Sequence, residues 1–236
     1  MVKDNVARVL GEIATAAKKA GRSPEDITLI GVTKFAPLDA ISDAIDAGIM
    51  HIAENRVQEA ERKFPLLLSK HPQVTTHLIG HLQSNKAKDV IKVCKLVQSI
   101  DSLKLATEID KQAQKAGLTA NILVQFNTAR EEQKFGADPS EAMALLEGIG
   151  QLTQVKVKGL MAMAPYTEDQ GIIRKAFADL RLIKEGAVKQ FKGHANLSFD
   201  VLSMGMSGDL QIAVEEGSTM VRIGSAIFKE VYETQP

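Results

Sequence analysis

Read for hydrophobic periodicity, the chain alternates short β-branched or apolar runs with longer stretches whose apolar residues recur every three or four positions. The short runs predict strands at Thr28–Thr33, His51–Ala53, Thr76–Ile79, Leu96–Ser99, Ala120–Phe126, Lys156–Met161, Ser198–Leu202 and Thr219–Ile223. The longer stretches predict helices at Leu38–Ala47, Val57–Leu68, Ser84–Val93, Leu103–Ala116, Ser140–Ile149, Ile172–Gln190 and Leu210–Glu216, after an opening helix over about Val2–Ala20.

Local punctuation agrees with these boundaries. Asp138-Pro139-Ser140-Glu141 sets an N-cap acid, a first-turn proline and a capping-box glutamate in register, and Ser23-Pro24-Glu25 offers a similar start before the first strand. Gly48 and Gly117 stand where helices should end. Strands alternating with helices suit either an open doubly wound sheet or a closed barrel. The first strand, however, runs into Gly31-Val32-Thr33-Lys34 rather than the G-x-G-x-x-G nucleotide fingerprint. We therefore expect a TIM-type (β/α)8 barrel, with residues 1–236 as a single domain. The length of 236 residues fits that fold, for which roughly 250 is typical.

Composition narrows the function class. Twenty-nine basic residues balance 29 acidic ones, so no electrostatic footprint for nucleic acid or an anionic membrane is present. No apolar run reaches the about 18 residues of a membrane span, and the N-terminus lacks the apolar block of a signal peptide. The single Cys94 has no internal disulfide partner and reads as a buried structural thiol. A cytoplasmic location is the expectation.

In such a barrel the chemistry sits at the carboxyl ends of the strands. There the sequence places Lys34, Glu54-Asn55, Gly80-His81, Asp101, Asn127, Met163-Ala164-Pro165, Ser203-Met204-Gly205-Met206-Ser207 and Arg222-Ile223-Gly224-Ser225. The last two segments offer hydroxyls, glycines and an arginine where barrels commonly bind phosphate. Equally, Gly205 and Gly208 fit simple turns, and Arg222 could pair with Glu215 or Glu216. Lys34 shares strand parity with Ile30 and Val32, which turns it inward if those line the barrel. It suits a phosphate charge or a Schiff-base amine, or merely a rim lysine paired with Glu54. Asn55 could bond a ring hydroxyl or cap the following helix. His81 could stack on a planar ligand, act as an acid or base, or be an ordinary loop residue. Met161, Met163, Met204 and Met206 are expected to pack around the mouth.

These segments together carry a family pattern. Gly31-Val32-Thr33-Lys34, Glu54-Asn55-Arg56-Val57-Gln58-Glu59, His77 through Lys86, Gly159-Leu160-Met161, Leu202 through Ser207 and Ser218 through Gly224 span nearly the whole chain. In them the chain resembles the pyridoxal phosphate homeostasis proteins, single-barrel relatives of the alanine racemase N-terminal domain. The resemblance implies pyridoxal 5'-phosphate as cofactor, held as a Schiff base on Lys34. Ser203, Gly224 and Ser225 would hold the phosphate, Arg222 would face the pyridine nitrogen, and Asn55 would lie beside the cofactor. Lys134 resembles a position of secondary cofactor contact in some relatives. The chain departs from the pattern at Ala53, Thr33 and Thr76, where the family commonly has glycine, serine and an aromatic residue.

The resemblance implies a carrier that buffers the cofactor in vitamin B6 homeostasis and serves pyridoxal-phosphate-dependent recipient enzymes, and a monomer is expected. A pyridoxal-phosphate-dependent racemase or decarboxylase is the alternative. Racemisation calls for an acid/base over the substrate α-carbon. Beyond Lys34 and His81 no candidate stands out, and the chain ends fourteen residues after Arg222, without the β-domain of the racemases. A Schiff-base sugar aldolase would use the same loops but not these sequence blocks. Lys34 is accordingly assigned a carrier role and no catalytic residue is expected.

Overall fold

Alternation along each strand divides the side chains between two packing layers, and that division builds the molecule. A computed structural model describes residues 1–131 and 135–233. Strands β1 (Thr28–Val32), β2 (His51–Glu54), β3 (Thr75–Leu78), β4 (Leu96–Ile100), β5 (Ala120–Gln125), β6 (Val155–Met161), β7 (Leu197–Ser203) and β8 (Met220–Ile223) run parallel in sequence order. The circle closes where Ile30 of β1 pairs with Arg222 of β8, so the expected (β/α)8 barrel is observed.

One side-chain parity faces the barrel axis. Ile30, Ala53, Leu96, Leu123, Met161 and Met220 form a separate inner cluster. The other parity, including Leu29, Ile52, Leu78, Val97, Leu160 and Val221, packs outward beneath the helices.

Those helices are α1 (Val2–Lys19), α2 (Leu38–Asp46), α3 (Val57–Lys70), α4 (Ala87–Val93), α5 (Leu103–Ala116), α6 (Ala142–Gly150), α7 (Gln170–Gln190), α8 (Leu210–Glu215) and α9 (Ser225–Glu233). In α3, Val57, Ala60, Phe64 and Leu67 recur at helical spacing and are buried. Burying Phe64 alone is worth about 1.5–3 kcal/mol. Among the described residues no helix is long and apolar enough to cross a membrane.

The structure adjusts several boundaries. Asp138 does accept from the Ser140 backbone at 2.8 Å, but Pro139–Glu141 form a 3-10 turn and α6 begins only at Ala142. Glu141 therefore ends that turn instead of closing a capping box. The helix expected from Ser84 likewise opens with a 3-10 turn over Ser84–Lys86. Gly117 ends α5 in the left-handed conformation, φ 62°, as its position predicts. Helix α9 lies outside the elements that periodicity predicts, because it is a short element held by tertiary contacts. Ile227 and Phe228 are fully buried, while Asn5 and Arg8 of α1 donate to the Ile227 and Ala226 carbonyls.

Candidate functional site

Strand β1 delivers Lys34 to the carboxyl rim of the barrel, and a buried polar cluster anchors the backbone just before it. Lys63 of α3 donates from Nζ to the Thr33 carbonyl at 2.9 Å and to Glu54 Oε1 at 2.8 Å. The Thr33 hydroxyl donates to the same Glu54 oxygen at 2.7 Å. Glu54 and Lys63 are essentially inaccessible to solvent, and Glu54 Oε2 has no hydrogen-bond partner among the described residues. The alternative pairing of Lys34 with Glu54 does not form. Glu54 points outward under α3, where Lys63 takes it, whereas Lys34 lies beyond the end of β1 in an exposed turn. Next along the chain, Phe35 adopts φ 66°, a left-handed backbone that is costly for an aromatic residue. This sharp turn leaves the Lys34 side chain exposed in a cleft of about 620 Å³ shared with Phe35, Asn55 and Arg56.

Asn55 follows β2 into that cleft. It does not cap α3, whose N-cap residue is Arg56. Its backbone lies against Gly80: a Cβ there would come within 2.1 Å of the Asn55 carbonyl oxygen. The glycine after β3 is thus a condition for close approach of the β2 and β3 loops.

At the opposite edge of the barrel seam, β7 and β8 bring Ser203 and Arg222 together. Arg222 donates from one terminal nitrogen to Ser203 Oγ at 2.8 Å and from the other to the Ala162 carbonyl at 3.0 Å. Ser203 is fully buried and donates from its hydroxyl to Gln98 Oε1 at 2.7 Å, so its hydroxyl is turned into the barrel. Arg222 does not pair with Glu215 or Glu216. Those carboxylates bind Arg174 at 2.5 and 2.8 Å, on the outside of the barrel. Burial pushes the Arg222 guanidinium down to about 10, with Asp209 opposing the shift, so it stays charged at neutral pH.

Above Arg222 the rim is built from the loop after β7 and the start of α9. Gly205 has φ 102°, and a Cβ there would meet Ala213 Cβ at 2.6 Å, so only glycine fits. Asp209 accepts from the Met206 backbone at 2.5 Å and holds the loop shut. Ser225, the first residue of α9, donates to Ser207 Oγ at 3.2 Å, and both are exposed. Gly224 sits flat against β1, with the Val32 carbonyl oxygen 3.3 Å from where its Cβ would be. Gly224 thus brings the start of α9 against β1, while the Ser207 and Ser225 hydroxyls line a neighbouring cleft with Asn5, Arg8 and Lys229.

The remaining candidates separate. His81 stacks on Phe135 with ring centroids 4.0 Å apart, and its Nδ1 lies 3.9 Å from Asp101 Oδ2. Met161 and Met204 are buried, while Met206 is partly exposed. Cys94 is buried, and burial pushes its thiol up to about 12, which makes it inert. Lys134 lies outside the described residues. Among the described residues no group of three metal-ligating side chains occurs. Sequence reasoning missed Gln98, His77 and Lys63 as supports of the site. For Gln98 and His77 the available signal was inward parity in the middle of otherwise apolar strands.

Comparison with known proteins places this geometry. Residues 12–231 match the alanine racemase N-terminal domain family. The chain is 37% identical to the pyridoxal phosphate homeostasis protein of Aquifex aeolicus, over 96% of this chain and 97% of that one. A structure from Bifidobacterium adolescentis, described as an unknown protein, superposes with TM-score 0.93 at 36% identity, covering 96% of this chain and 94% of the other. PipY of Synechococcus elongatus PCC7942, solved with PLP bound, superposes with TM-score 0.82 at 33% identity, covering 97% of this chain and all of that one.

Proposed function

The chain belongs to the pyridoxal phosphate homeostasis proteins, within the alanine racemase N-terminal domain family, and on that premise we propose that it binds pyridoxal 5'-phosphate and carries or buffers it in vitamin B6 homeostasis. The observation that carries this reading is the closure of β1 on β8, which sets Gly224 against Val32, two residues before the exposed Lys34.

The residues present fit the cofactor. Arg222 is buried without a carboxylate in ion-pair distance among the described residues. A neutral or anionic acceptor on its open side would satisfy it. When bound, pyridoxal phosphate supplies an aldehyde that a primary amine can take up reversibly, and a phosphate. Lys34 is assigned to the aldehyde. Gly224 and Ser225 are assigned to the phosphate through the start of α9, and Ser203, whose hydroxyl is taken up by Gln98, is assigned to holding Arg222 in place. Arg222 is assigned to the pyridine ring edge and Asn55 to the side of the ring. The cleft at Lys34 opens to solvent, which suits exchange with free cofactor or with recipient enzymes.

We assign a carrier role rather than catalysis, in a cytoplasmic monomer. The naming of the relatives as homeostasis proteins supports the first. The inert thiol of Cys94 is compatible with a reducing compartment.

The direct test is borohydride reduction of the cofactor-loaded protein followed by peptide mass mapping. The adduct is expected on the peptide carrying Lys34. Lys34→Ala should give no adduct in this pocket while cofactor affinity falls only in part. An adduct at the same pocket in Lys34→Ala would refute the assignment. Incubation of the loaded protein with L-alanine should yield neither D-alanine nor ethylamine above background. Product formation would favour an enzyme, with His81 near Asp101 as the acid/base candidate.

A further inference from the structure

The axis of a (β/α)8 barrel is ordinarily filled by layers of branched apolar side chains. Here a continuous polar chain runs through it. Arg222 donates to Ser203 Oγ at 2.8 Å, and Ser203 donates to Gln98 Oε1 at 2.7 Å. Gln98 Nε2 lies 3.2 Å from His77 Nδ1 and 3.4 Å from Met220 Sδ, and His77 Nε2 lies 3.0 Å from His51 Nδ1. Arg222, Ser203, Gln98 and His77 are all buried, and only His51, the first residue of β2, reaches partway to solvent.

The chain has one direction. Arginine can only donate, so Ser203 accepts from it and turns its own proton to Gln98. The Gln98 amide then faces the two acceptors Met220 Sδ and His77 Nδ1. That leaves His77 with its proton on Nε2, donated to His51 Nδ1. Burial supports a neutral His77, pushing its ring down to about 3. Each member satisfies the next, as a buried polar network requires. Stability gives no reason for it, since an apolar filling of the same volume is often as stable or more so.

We propose that Gln98 and His77 are positioning residues for the cofactor pocket: they fix the Ser203 hydroxyl, which in turn sets the orientation of the Arg222 guanidinium. The arginine end cannot reverse, so a reversal at His77 strands the serine proton. If His77 carried its proton on Nδ1, Gln98 would turn its amide nitrogen to Ser203. The serine would then accept from both sides and its proton would lose its acceptor. The Arg222 plane is thus tied to a histidine tautomer on β3. Only the final step, from Arg222 to the cofactor, rests on the pyridoxal phosphate reading.

Two measurements test this. In protein without cofactor, nitrogen-15 NMR of the histidine rings should show His77 neutral, protonated at Nε2 and bare at Nδ1. A ring protonated on Nδ1, or exchanging between tautomers, would overturn the proposal whatever the ligand. In loaded protein, Gln98→Leu should shift the visible absorption band and speed cofactor release about fivefold, the effect of one net hydrogen bond. His77→Leu should do the same more weakly. His77→Asn, whose Oδ1 can replace Nδ1 as the Gln98 acceptor, should restore both band and rate. Purely structural packing would lower the melting temperature of these variants with no change of band and no rescue, which would refute the role. Protein that takes up no pyridoxal phosphate would sink the proposed function, yet the histidine spectrum would still decide the relay.

Discussion

His77 is one side chain whose ionisation differs sharply between folded and unfolded chain. Its ring has an ordinary value of 6.5, and burial inside the barrel lowers it to about 3. Between those values the unfolded state binds the extra proton, so this group makes stability fall as pH drops below 6.5. The loss approaches about 1.4 kcal/mol per pH unit. Between pH 6.5 and 5 the carboxylates held below their ordinary range do not interfere, while His51, also lowered by burial, adds a slope of the same sign and Asp209, raised by burial, one of the opposite sign. Glu215, held down to about 2 chiefly by its hydrogen bond from Arg174, loses its contribution only as pH falls below its ordinary 4.5. Urea midpoints of wild type should therefore decline from pH 6.5 to 5, and His77→Asn should flatten that slope. An unchanged slope would show that the ring titrates elsewhere than proposed. At this scale the sequence disclosed residue identity and inward parity, but not the company each side chain keeps. Nothing local in Leu96-Val97-Gln98-Ser99 distinguishes a bonded glutamine from an edge residue.

Between elements, the clearest dependency is that of β1 on α3. Lys63 projects from the buried face of α3, in a stripe otherwise made of Val57, Ala60, Phe64 and Leu67. It neutralises Glu54 at the end of β2 and holds the Thr33 carbonyl at the end of β1. Removing one partner of a buried pair leaves the other charge uncompensated, at about 3–5 kcal/mol. Lys63→Ala should lower urea stability by that amount, and the double variant Lys63→Met with Glu54→Gln should recover much of it. Equal losses in single and double variants would mean that packing, not charge, dominates. The amphipathic period of α3 was readable from sequence, but a lysine in the buried stripe looks there like an edge residue. Short 3-10 openings such as Pro139–Glu141 were also hidden, because capping residues mark a start without specifying how tightly the first turn winds.

Across the molecule, barrel closure joins residues far apart in the chain into one rim. Ile30 pairs with Arg222, and Gly224 lies against Val32, so Lys34 and the α9 start become neighbours. Arg222→Ala should therefore leave adduct formation at Lys34 intact while cofactor release quickens on the order of tenfold, the range of a hydrogen bond to a charged group. Unchanged release in that variant would remove Arg222 from the pocket. Closure also gives the rival acids other partners: Glu54 to Lys63 within the wall, and Glu215 and Glu216 to Arg174 outside it. Lys34 and Arg222 are thereby left without the rival pairings considered for them.

By itself the sequence determined the alternation of strands and helices, the rim positions from Lys34 to Ser225 and the family to which they belong. Periodicity and punctuation are local, and the matching segments are long. Only the tertiary structure decided that Glu54 faces Lys63, that the Ser203 hydroxyl turns inward, and that Arg222 connects through Gln98 and His77 to His51. Those outcomes depend on which strands stand opposite one another across a closed barrel. That is set by the relative placement of β2, β3, β4, β7 and β8, which no stretch of the chain specifies alone.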